Sequence, residues 1–313
     1  MSKDGVQRSG RVLVTGADGF IGQGLIRALI DAGYAVRAAT RGPATLPPGV
    51  ESAVIGDLRR PINLAEALHG ADAVIHAAGI GHATSGIPDE TYREVNAGAT
   101  QALAKAAGQA GVRRFLLLSS VRAQSGPSAP EPLTESMPAK PTDAYGRSKL
   151  EAEELAAASG VPLVVFRPVL VHGPGMRFNM AALMDLALSR WPLPLGAFHA
   201  QRSIVARGHL ADAVLLALEN RAMEGGTFLV ADPEPLSVKE MVAAIRAARQ
   251  RRPGVFPLPQ GMVAMAGRMM GREEAVARLR KPLVADPSRL MAAGWRPRLP
   301  AFEALTETAR TYV

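Results

Sequence analysis

The chain has 313 residues, of which 48% are hydrophobic, and a formal net charge of +8. It contains no cysteine, which excludes disulfides, zinc–thiolate sites and thiol nucleophiles. No apolar run reaches the ~18 residues that a membrane-spanning helix needs, and the polar first residues show no signal peptide, so we expect a cytoplasmic protein.

Apolar strand-like runs alternate with helical patterns over the first 170 residues. This alternation predicts right-handed crossovers and therefore an α/β fold with a doubly wound parallel sheet of the Rossmann type. The predicted strands are 11–15, 35–40, 53–56, 73–77, 113–119 and 161–167. The predicted helices are 19–32, 61–69, 89–110 and 143–159.

The first predicted strand runs into the sequence T-G-A-D-G-F-I-G at residues 15–22, and a helical pattern follows. Gly16 permits a tight turn, Gly19 lets backbone N–H groups approach a pyrophosphate, and Gly22 lets the helix pack on the sheet. A strand, a glycine turn and a helix in this order predict a dinucleotide site. The alternative is a glycine-rich turn that binds nothing.

The end of the second predicted strand bears on which dinucleotide is bound. An acidic residue there would hydrogen-bond the ribose 2′-hydroxyl of NAD, but this chain has Thr40. Arg41, the next residue, could pair with the 2′-phosphate of NADP. We therefore expect NAD or NADP, with NADP favoured by Thr40 and Arg41. The alternative is that Arg41 is simply solvated.

Beyond residue 170 the pattern changes. Loops rich in proline and glycine separate predicted helices at 177–190, 207–221, 236–249 and 301–311. We predict an NAD(P)-binding Rossmann domain over 1–170 and a smaller, mostly helical substrate-binding lobe over 171–313. Some segments, such as 226–230, are expected to return to the main sheet.

Tyr145 and Lys149 are spaced i, i+4, so they share one face of the predicted helix 143–159, which Asp143 can cap. A nearby ammonium lowers the pKa of a phenol from about 10 and makes tyrosine a usable general acid or base. Ser119 and Ser120 end a strand where open sheets bind ligands, and a hydroxyl there could hydrogen-bond the reacting substrate oxygen. The alternatives are a surface helix pair and two ordinary serines.

Further motifs follow in the order found in the extended short-chain dehydrogenases/reductases. They are TGADGFIG at 15–22, GDL at 56–58, HAAG at 76–79, Asn96, SS at 119–120, YGRSK at 145–149 and RPVLVHGPG at 167–175. On these residues the chain resembles the NAD-dependent epimerase/dehydratase family, which includes UDP-glucose 4-epimerases and nucleotide-sugar 4-ketoreductases. The resemblance runs from about residue 11 to residue 311.

The resemblance implies that Tyr145 is the acid/base, that Lys149 tunes it and binds the nicotinamide ribose, and that Ser120 orients the substrate. Asn179 and Arg202 resemble residues that meet the diphosphate of the substrate. The implied cofactor contacts, besides Arg41, Tyr145 and Lys149, are Gly16, Gly19, Phe20, Ile21 and Gly22 in the glycine loop, Asp57 and Leu58 beside the adenine, Ala77, Ala78 and Gly79 along the cleft, and Asn96.

Two departures from the family pattern matter. Leu170 stands where many sugar-nucleotide members have an asparagine, and His172 stands where Y-G-P-G has tyrosine. The resemblance implies a nucleotide-sugar 4-epimerase with hydride transfer at C4 of a UDP-sugar. The alternative is an NADPH-dependent 4-ketoreductase of a UDP-4-keto sugar or another ketone. A non-catalytic NADP-sensing module is a third possibility, which Tyr145 disfavours.

The positive charge also raises the question of nucleic acid. Thirty of the 36 basic residues are arginine, with concentrations at 246–252 and 268–281, but no aromatic platform for stacking bases accompanies them. We interpret them as solvated helix faces, on a surface that would attract an anionic substrate. We expect a small-molecule substrate, a UDP-sugar, and a homodimer, and we expect no metal, nucleic acid or membrane partner.

Overall fold

The computed structural model describes residues 10–81, 86–271 and 273–312, so the polar residues 1–9 lie outside the described part of the chain. Seven parallel strands form a central sheet in the order β3-β2-β1-β4-β5-β6-β10. These strands are β1 (Arg11–Thr15), β2 (Ala35–Thr40), β3 (Glu51–Val54), β4 (Ala73–His76), β5 (Arg114–Leu118), β6 (Leu163–Pro168) and β10 (Thr227–Val230). Two small sheets pair β7 (Leu170–His172) with β9 (Ile204–Ala206), and β8 (Gln201–Arg202) with β11 (Leu236–Ser237).

Twelve α-helices connect or follow these strands in the described residues. The first five are α1 (Phe20–Asp31), α2 (Leu64–Leu68), α3 (Asp89–Tyr92), α4 (Ala99–Gln109) and α5 (Ala144–Ala158). The remaining helices are α6 (Phe178–Leu188), α7 (Arg207–Glu219), α8 (Val238–Ala247), α9 (Gln260–Met269), α10 (Glu273–Leu279), α11 (Ser288–Ala292) and α12 (Ala301–Arg310). None of the described helices is long and apolar enough to cross a membrane.

The sheet confirms the predicted doubly wound α/β fold. Its strand order reverses between β1 and β4, and open sheets bind ligands at such a switch point. Thr15 at the end of β1 lies opposite His76 at the end of β4, so the loops after both strands leave from one edge of the sheet. β10 pairs with β6, so segment 226–230 does belong to the main sheet. The division of the chain at residue 170 stays a prediction.

Apolar side chains alternate between the two faces of the sheet, as the pleat of a strand requires. Val12 and Val14 pack with α1 and α7 on one face, whereas Leu13 packs with α4 on the other. A third core forms in the C-terminal half between α6, α8 and α12, around Met184 and Ile245. The edge of the sheet at which β1 and β4 end therefore rests on a core that covers both faces of the sheet.

Three local predictions are wrong in detail. Strand β3 ends at Val54, two residues before the predicted end, because the chain turns at Gly56, whose φ is +70°. The predicted helix 89–110 contains a π-helical turn at Arg93–Gly98 between α3 and α4. The stretch between the predicted helices 236–249 and 301–311 contains α9, α10 and α11, which the sequence predictions omit because its prolines and glycines indicate loops.

The interpretation of the basic segment 246–252 as a solvated face is wrong for Arg246. Its side chain is 2% exposed and donates hydrogen bonds to five backbone carbonyls. Arg251 similarly donates to the carbonyls of Leu188 and Ser189. These guanidinium groups bind carbonyls at the end of α6, in the loop that follows it and in the loop before α9.

Gly22→Ala tests the close approach in the glycine turn. In the interior of a helix, replacing glycine by alanine usually stabilises the folded protein by up to about 1 kcal/mol. Here the added Cβ would lie 2.0 Å from the carbonyl oxygen of Gly16, so we expect a loss of about 1–3 kcal/mol in the free energy of unfolding, measured in urea.

Gly108→Ala in α4 is the matched control, because its Cβ would meet nothing closer than 3.7 Å. It should be at least as stable as the wild type. Equal stability of the two variants would show that the turn accommodates a side chain at residue 22.

Candidate active site

The glycine turn between β1 and α1 is closed by its own backbone. A Cβ on Gly16, whose φ is +68°, would lie 2.8 Å from the backbone of Ala78. Gly19 is the N-cap of α1 and supplies no side-chain cap, so the first N–H groups of the helix, at Phe20 and Ile21, have no side-chain acceptor from that position. Because both of these turn residues are glycines, no side chain from Gly16 or Gly19 covers the N-terminus of α1. An uncovered helix N-terminus fits the pyrophosphate of a dinucleotide.

Charged side chains surround the expected adenine end of that site. Arg41 is exposed, and its guanidinium lies 3.9 Å from the carboxylate of Asp18. The hydroxyl of Thr40 donates to the carbonyl of Gly42 at 2.8 Å. Asp57 accepts hydrogen bonds from Arg59, which hold the pKa of its carboxyl at about 2. Arg59 has no signal in the sequence that predicts a place beside the cofactor.

Asn96 lies in the π-helical turn and holds the loop after β4. Its side chain accepts from the N–H of Ile80 at 2.8 Å and donates to the carbonyl of Ile80 at 3.2 Å and to Ser148 Oγ at 3.0 Å. A Cβ on Gly79 would lie 2.6 Å from Asn96 Oδ1 and 3.9 Å from Lys149 Nζ. Asn96 thus joins the loop Ala77–Gly79 to helix α5.

His76 connects this loop to β1 through buried hydroxyl groups. Its Nδ1 lies 2.6 Å from Thr15 Oγ1, and its Nε2 lies 3.0 Å from Thr100 Oγ1. Burial lowers the pKa of His76 to about 3, with the charge of Lys149 as a second cause, so the ring is neutral. The backbone N–H of Ala78 donates to Thr15 Oγ1 at 3.3 Å.

The structure brings Ser120, Tyr145 and Lys149 to one place. Ser120 follows β5 and hydrogen-bonds the phenol of Tyr145. Asp143 caps α5 by accepting from the N–H of Gly146 at 2.7 Å, as expected, and this fixes the start of the helix that carries Tyr145 and Lys149. Lys149 is buried, and its ammonium donates to the carbonyl of Leu118 at 2.7 Å.

The electrostatics of the tyrosine differ from the simple expectation. Burial raises the pKa of the Tyr145 phenol above its ordinary value, and the hydrogen bond from Ser120 and the charge of Arg122 oppose that shift. Burial also lowers the pKa of Lys149 to about 8, while Glu153 acts in the opposite direction. Arg122 is therefore a cation near the phenol that the spacing of Tyr145 and Lys149 did not predict.

A buried polar cluster lies behind these residues. Arg167 on β6 binds Glu153 on α5 through several hydrogen bonds, the shortest of 2.6 Å, and donates to Gln124 Oε1 at 3.0 Å. Ser119 donates to the same glutamate. Each of these four residues is at most 7% exposed, and together they join β5, β6 and α5.

A cavity of about 450 Å³ opens beside Asp143. Three of its lining residues are cationic (Arg122, Arg278 and Lys281), and Asp143, which pairs with Arg122, is its one acidic lining residue. The described lining also includes Pro127, Ser128, Thr142 and Ala277. The remaining positive charge fits an anionic ligand such as a phosphate.

Arg202 holds the wall of this cavity. Its guanidinium donates to the backbone carbonyls of Arg278, Lys281 and Pro127 at 2.9–3.2 Å. Burial lowers the pKa of Arg202 to about 10, which leaves it charged at neutral pH. Asn179 is exposed in the first turn of α6 and is not among the described residues that line the cavity.

Three residues of the cavity lining are not among the predicted site residues: Arg122, Arg278 and Lys281. Arg122 lies two residues after Ser120, and its closeness in sequence to a predicted site residue could have indicated that it belongs to the site. Arg278 and Lys281 come from a distant part of the chain, within a segment that we interpreted as a solvated face. In the described residues no group of histidine, aspartate and glutamate side chains could hold a metal ion.

Comparisons with known proteins identify the family of this chain. The model of the NAD dependent epimerase/dehydratase family matches residues 12–231. The UDP-glucose 4-epimerase of Vibrio cholerae is 31% identical over 313 residues, covering 96% of this chain and 95% of that protein. The UDP-glucose 4-epimerase of Streptomyces lividans is also 31% identical and covers 83% of this chain and 86% of its own.

The fold also matches a solved structure. MoeE5 in complex with UDP-glucuronic acid and NAD superposes with a TM-score of 0.77 at 27% sequence identity. The match covers 96% of this chain and 98% of that one.

Proposed function

Because the chain belongs to the NAD-dependent epimerase/dehydratase family of extended short-chain dehydrogenases/reductases, we propose that it is a nucleotide-sugar 4-epimerase acting on a UDP-sugar. The observation that carries the proposal is the hydrogen-bonded pair of Ser120 and Tyr145. On one side of the pair lies Arg122 of the basic cavity, and on the other Lys149 approaches Gly79 beside the glycine turn. One side of this pair fits a dinucleotide, and the other fits the diphosphate of the substrate.

In this proposal Tyr145 removes the proton from O4 of the sugar and later returns it. Ser120 holds the same oxygen by a hydrogen bond, and the charge of Arg122 stabilises the phenolate. Lys149, which the resemblance implies as the group that tunes the tyrosine, lies one helical turn after it. A bound nicotinamide would supply the hydride acceptor and donor for C4 of the sugar. The sugar must therefore turn over while its diphosphate stays bound.

The basic cavity is the proposed site of the diphosphate. Arg278 and Lys281 line it, and Arg202 fixes the backbone of both through its carbonyl contacts. This arrangement differs from the direct contact that the resemblance implies for Arg202. We infer that Arg202 positions the wall, and that the side chains on that wall bind the phosphates.

One observation favours the second candidate, an NADPH-dependent 4-ketoreductase. Thr40 replaces the acidic residue that selects NAD, and Arg41 is exposed beside the adenine end of the site. A reductase consumes NADPH with a UDP-4-keto sugar. An epimerase interconverts UDP-glucose and UDP-galactose without net loss of reduced cofactor. Identifying the products formed from UDP-glucose, and from a UDP-4-keto sugar with NADPH, distinguishes the two reactions.

Tyr145→Phe tests the acid/base role. Loss of general acid–base catalysis should lower kcat by at least about 10²-fold, while cofactor affinity stays unchanged. Tyr92→Phe is the control, since its ring lies 6.2 Å from that of Tyr145 in an edge contact, and it should keep most of the activity. A Tyr145→Phe variant with the turnover of the control would remove the phenol from the mechanism.

Arg278→Ala tests the diphosphate site. We expect UDP to compete with the substrate in the wild type and to compete roughly ten- to a hundred-fold less well in the variant, because a charge-assisted hydrogen bond typically contributes ~1.5–3 kcal/mol. The control Arg280→Ala removes an exposed arginine that pairs with Gln260 outside the cavity lining. Failure of millimolar UDP to inhibit the wild type would exclude a nucleotide-sugar substrate.

Arg41→Ala tests the choice of cofactor. If Arg41 binds the 2′-phosphate, the variant should lose about ten-fold or more in affinity for NADP(H) and little for NAD(H). Fluorescence titration of both cofactors measures this difference. Equal changes for both cofactors would mean that Arg41 does not contact the 2′-phosphate.

A further inference from the structure

Helix α9 exposes a stripe of methionine side chains. Met262, Met265 and Met269 are spaced i, i+3 and i+7, so they share one side of the helix, and they are 52%, 63% and 84% exposed. Val263 packs toward the core of the C-terminal half, and Gly267 is buried. The helix therefore has its packed positions on one side and an uncovered apolar stripe on another.

Two further exposed side chains are aromatic, and they lie on segments that are joined to each other and to the start of α9. Trp191 is 63% exposed and Phe256 is 42% exposed. Their segments are joined, because the N–H of Phe256 donates to the carbonyl of Leu193 at 3.0 Å. Gln260 at the start of α9 donates to the carbonyl of Ala197 at 2.7 Å. The methionine face, as we name it, comprises Trp191, Phe256, Met262, Met265, Met269 and Met270.

This face is unusual within the protein. Twelve large hydrophobic side chains are exposed among the described residues, and six of them belong to the methionine face. Scattered exposed apolar residues are ordinary, but a contiguous group of them marks an interaction site. Methionine is common at such sites because its flexible thioether adapts to irregular partners.

The chain around the face is strongly basic. Residues 246–281 contain nine basic and two acidic residues, a net charge of +7. Of these basic residues, Arg246 is buried, and Arg278 and Lys281 line the basic cavity. Arg190, Arg252 and Arg268 are exposed, and the guanidinium of Arg190 lies 4.7 Å from the ring centroid of Trp191. Apolar and aromatic residues rimmed by arginine are typical of surfaces that lie in the interface of an anionic membrane.

We propose that the methionine face docks this protein on an anionic phospholipid surface. Charge complementarity selects this partner, because the positive segment is attracted by acidic headgroups while the methionines and Trp191 enter the acyl boundary. A second copy of the chain fits less well, since pairing two such faces would bring the exposed Arg190, Arg252 and Arg268 of both copies together.

From the sequence alone we expected no membrane partner, because no apolar run can span a bilayer. Docking at the surface needs no spanning helix, and the face exists only after α9 folds beside the segments of Trp191 and Phe256. α10 packs on α9 and carries Arg278 of the basic cavity, so the docking face and the cavity are parts of one lobe.

Cosedimentation with lipid vesicles tests the proposal. The full chain should bind vesicles of phosphatidylcholine with phosphatidylglycerol, bind pure phosphatidylcholine at least about ten-fold less, and dissociate as the salt concentration rises. Met265→Ser/Met269→Ser should weaken binding at least about ten-fold. Ile62→Ser removes a side chain of similar exposure (53%) from the other half of the chain and should bind as the wild type does.

Arg252→Gln/Arg268→Gln provides a second test that leaves the apolar residues in place. It should weaken binding to the acidic vesicles only. The proposal is overturned if the wild type does not bind acidic vesicles, or if the methionine variant binds as well as Ile62→Ser does. It is also overturned if the wild type forms a dimer that the methionine variant abolishes, because a second copy would then cover the face.

These outcomes are distinct from those of the proposed function. The methionine variant should keep the wild-type turnover of a water-soluble UDP-sugar, since its substituted residues lie outside the catalytic group and the cavity lining.

Discussion

The buried ion pair between Glu153 and Arg167 is the interaction on which the site depends. It joins α5 to β6, and the hydrogen bond from Ser119 adds the end of β5. Ser120 is the next residue after Ser119, and Lys149 lies one helical turn before Glu153. Removing one partner of such a pair usually costs ~3–5 kcal/mol because the other charge stays buried. The pair therefore fixes the distance between the strand end that carries Ser120 and the helix that carries Tyr145.

A second set of buried polar contacts fixes the cofactor side of the same edge. Thr15, His76 and Thr100 form one chain of hydrogen bonds, and Thr100 donates to the carbonyl of Asn96 at 2.5 Å. Asn96 in turn binds Ile80 and Ser148. The π-helical turn that contains Asn96 is a costly conformation that occurs often at functional sites. Here it directs an amide from a helix interior toward the loop of Gly79.

Much of this site could be predicted because its signals are local. The glycine turn and the i, i+4 spacing of Tyr145 and Lys149 each span a few residues, and the ends of parallel strands meet at one edge. The cavity could not be predicted, because Arg122 and Arg278 are joined only by tertiary folding. Helix α9 was missed for a different reason. Its apolar residues include an exposed stripe, so the pattern does not mark a single buried face.

Arginine has two separate functions in this protein, and sequence patterns do not distinguish them. Some guanidinium groups are structural, since Arg246 and Arg202 donate to backbone carbonyls at helix ends and in loops. A lysine has three donors on one atom and could not bridge so many carbonyls. Arg246 holds the carbonyl of Trp191 and the segment that leads to Phe256. The buried arginine thus supports the segments that carry Trp191 and Phe256, and part of the high net charge lies inside the protein, where it has a structural role.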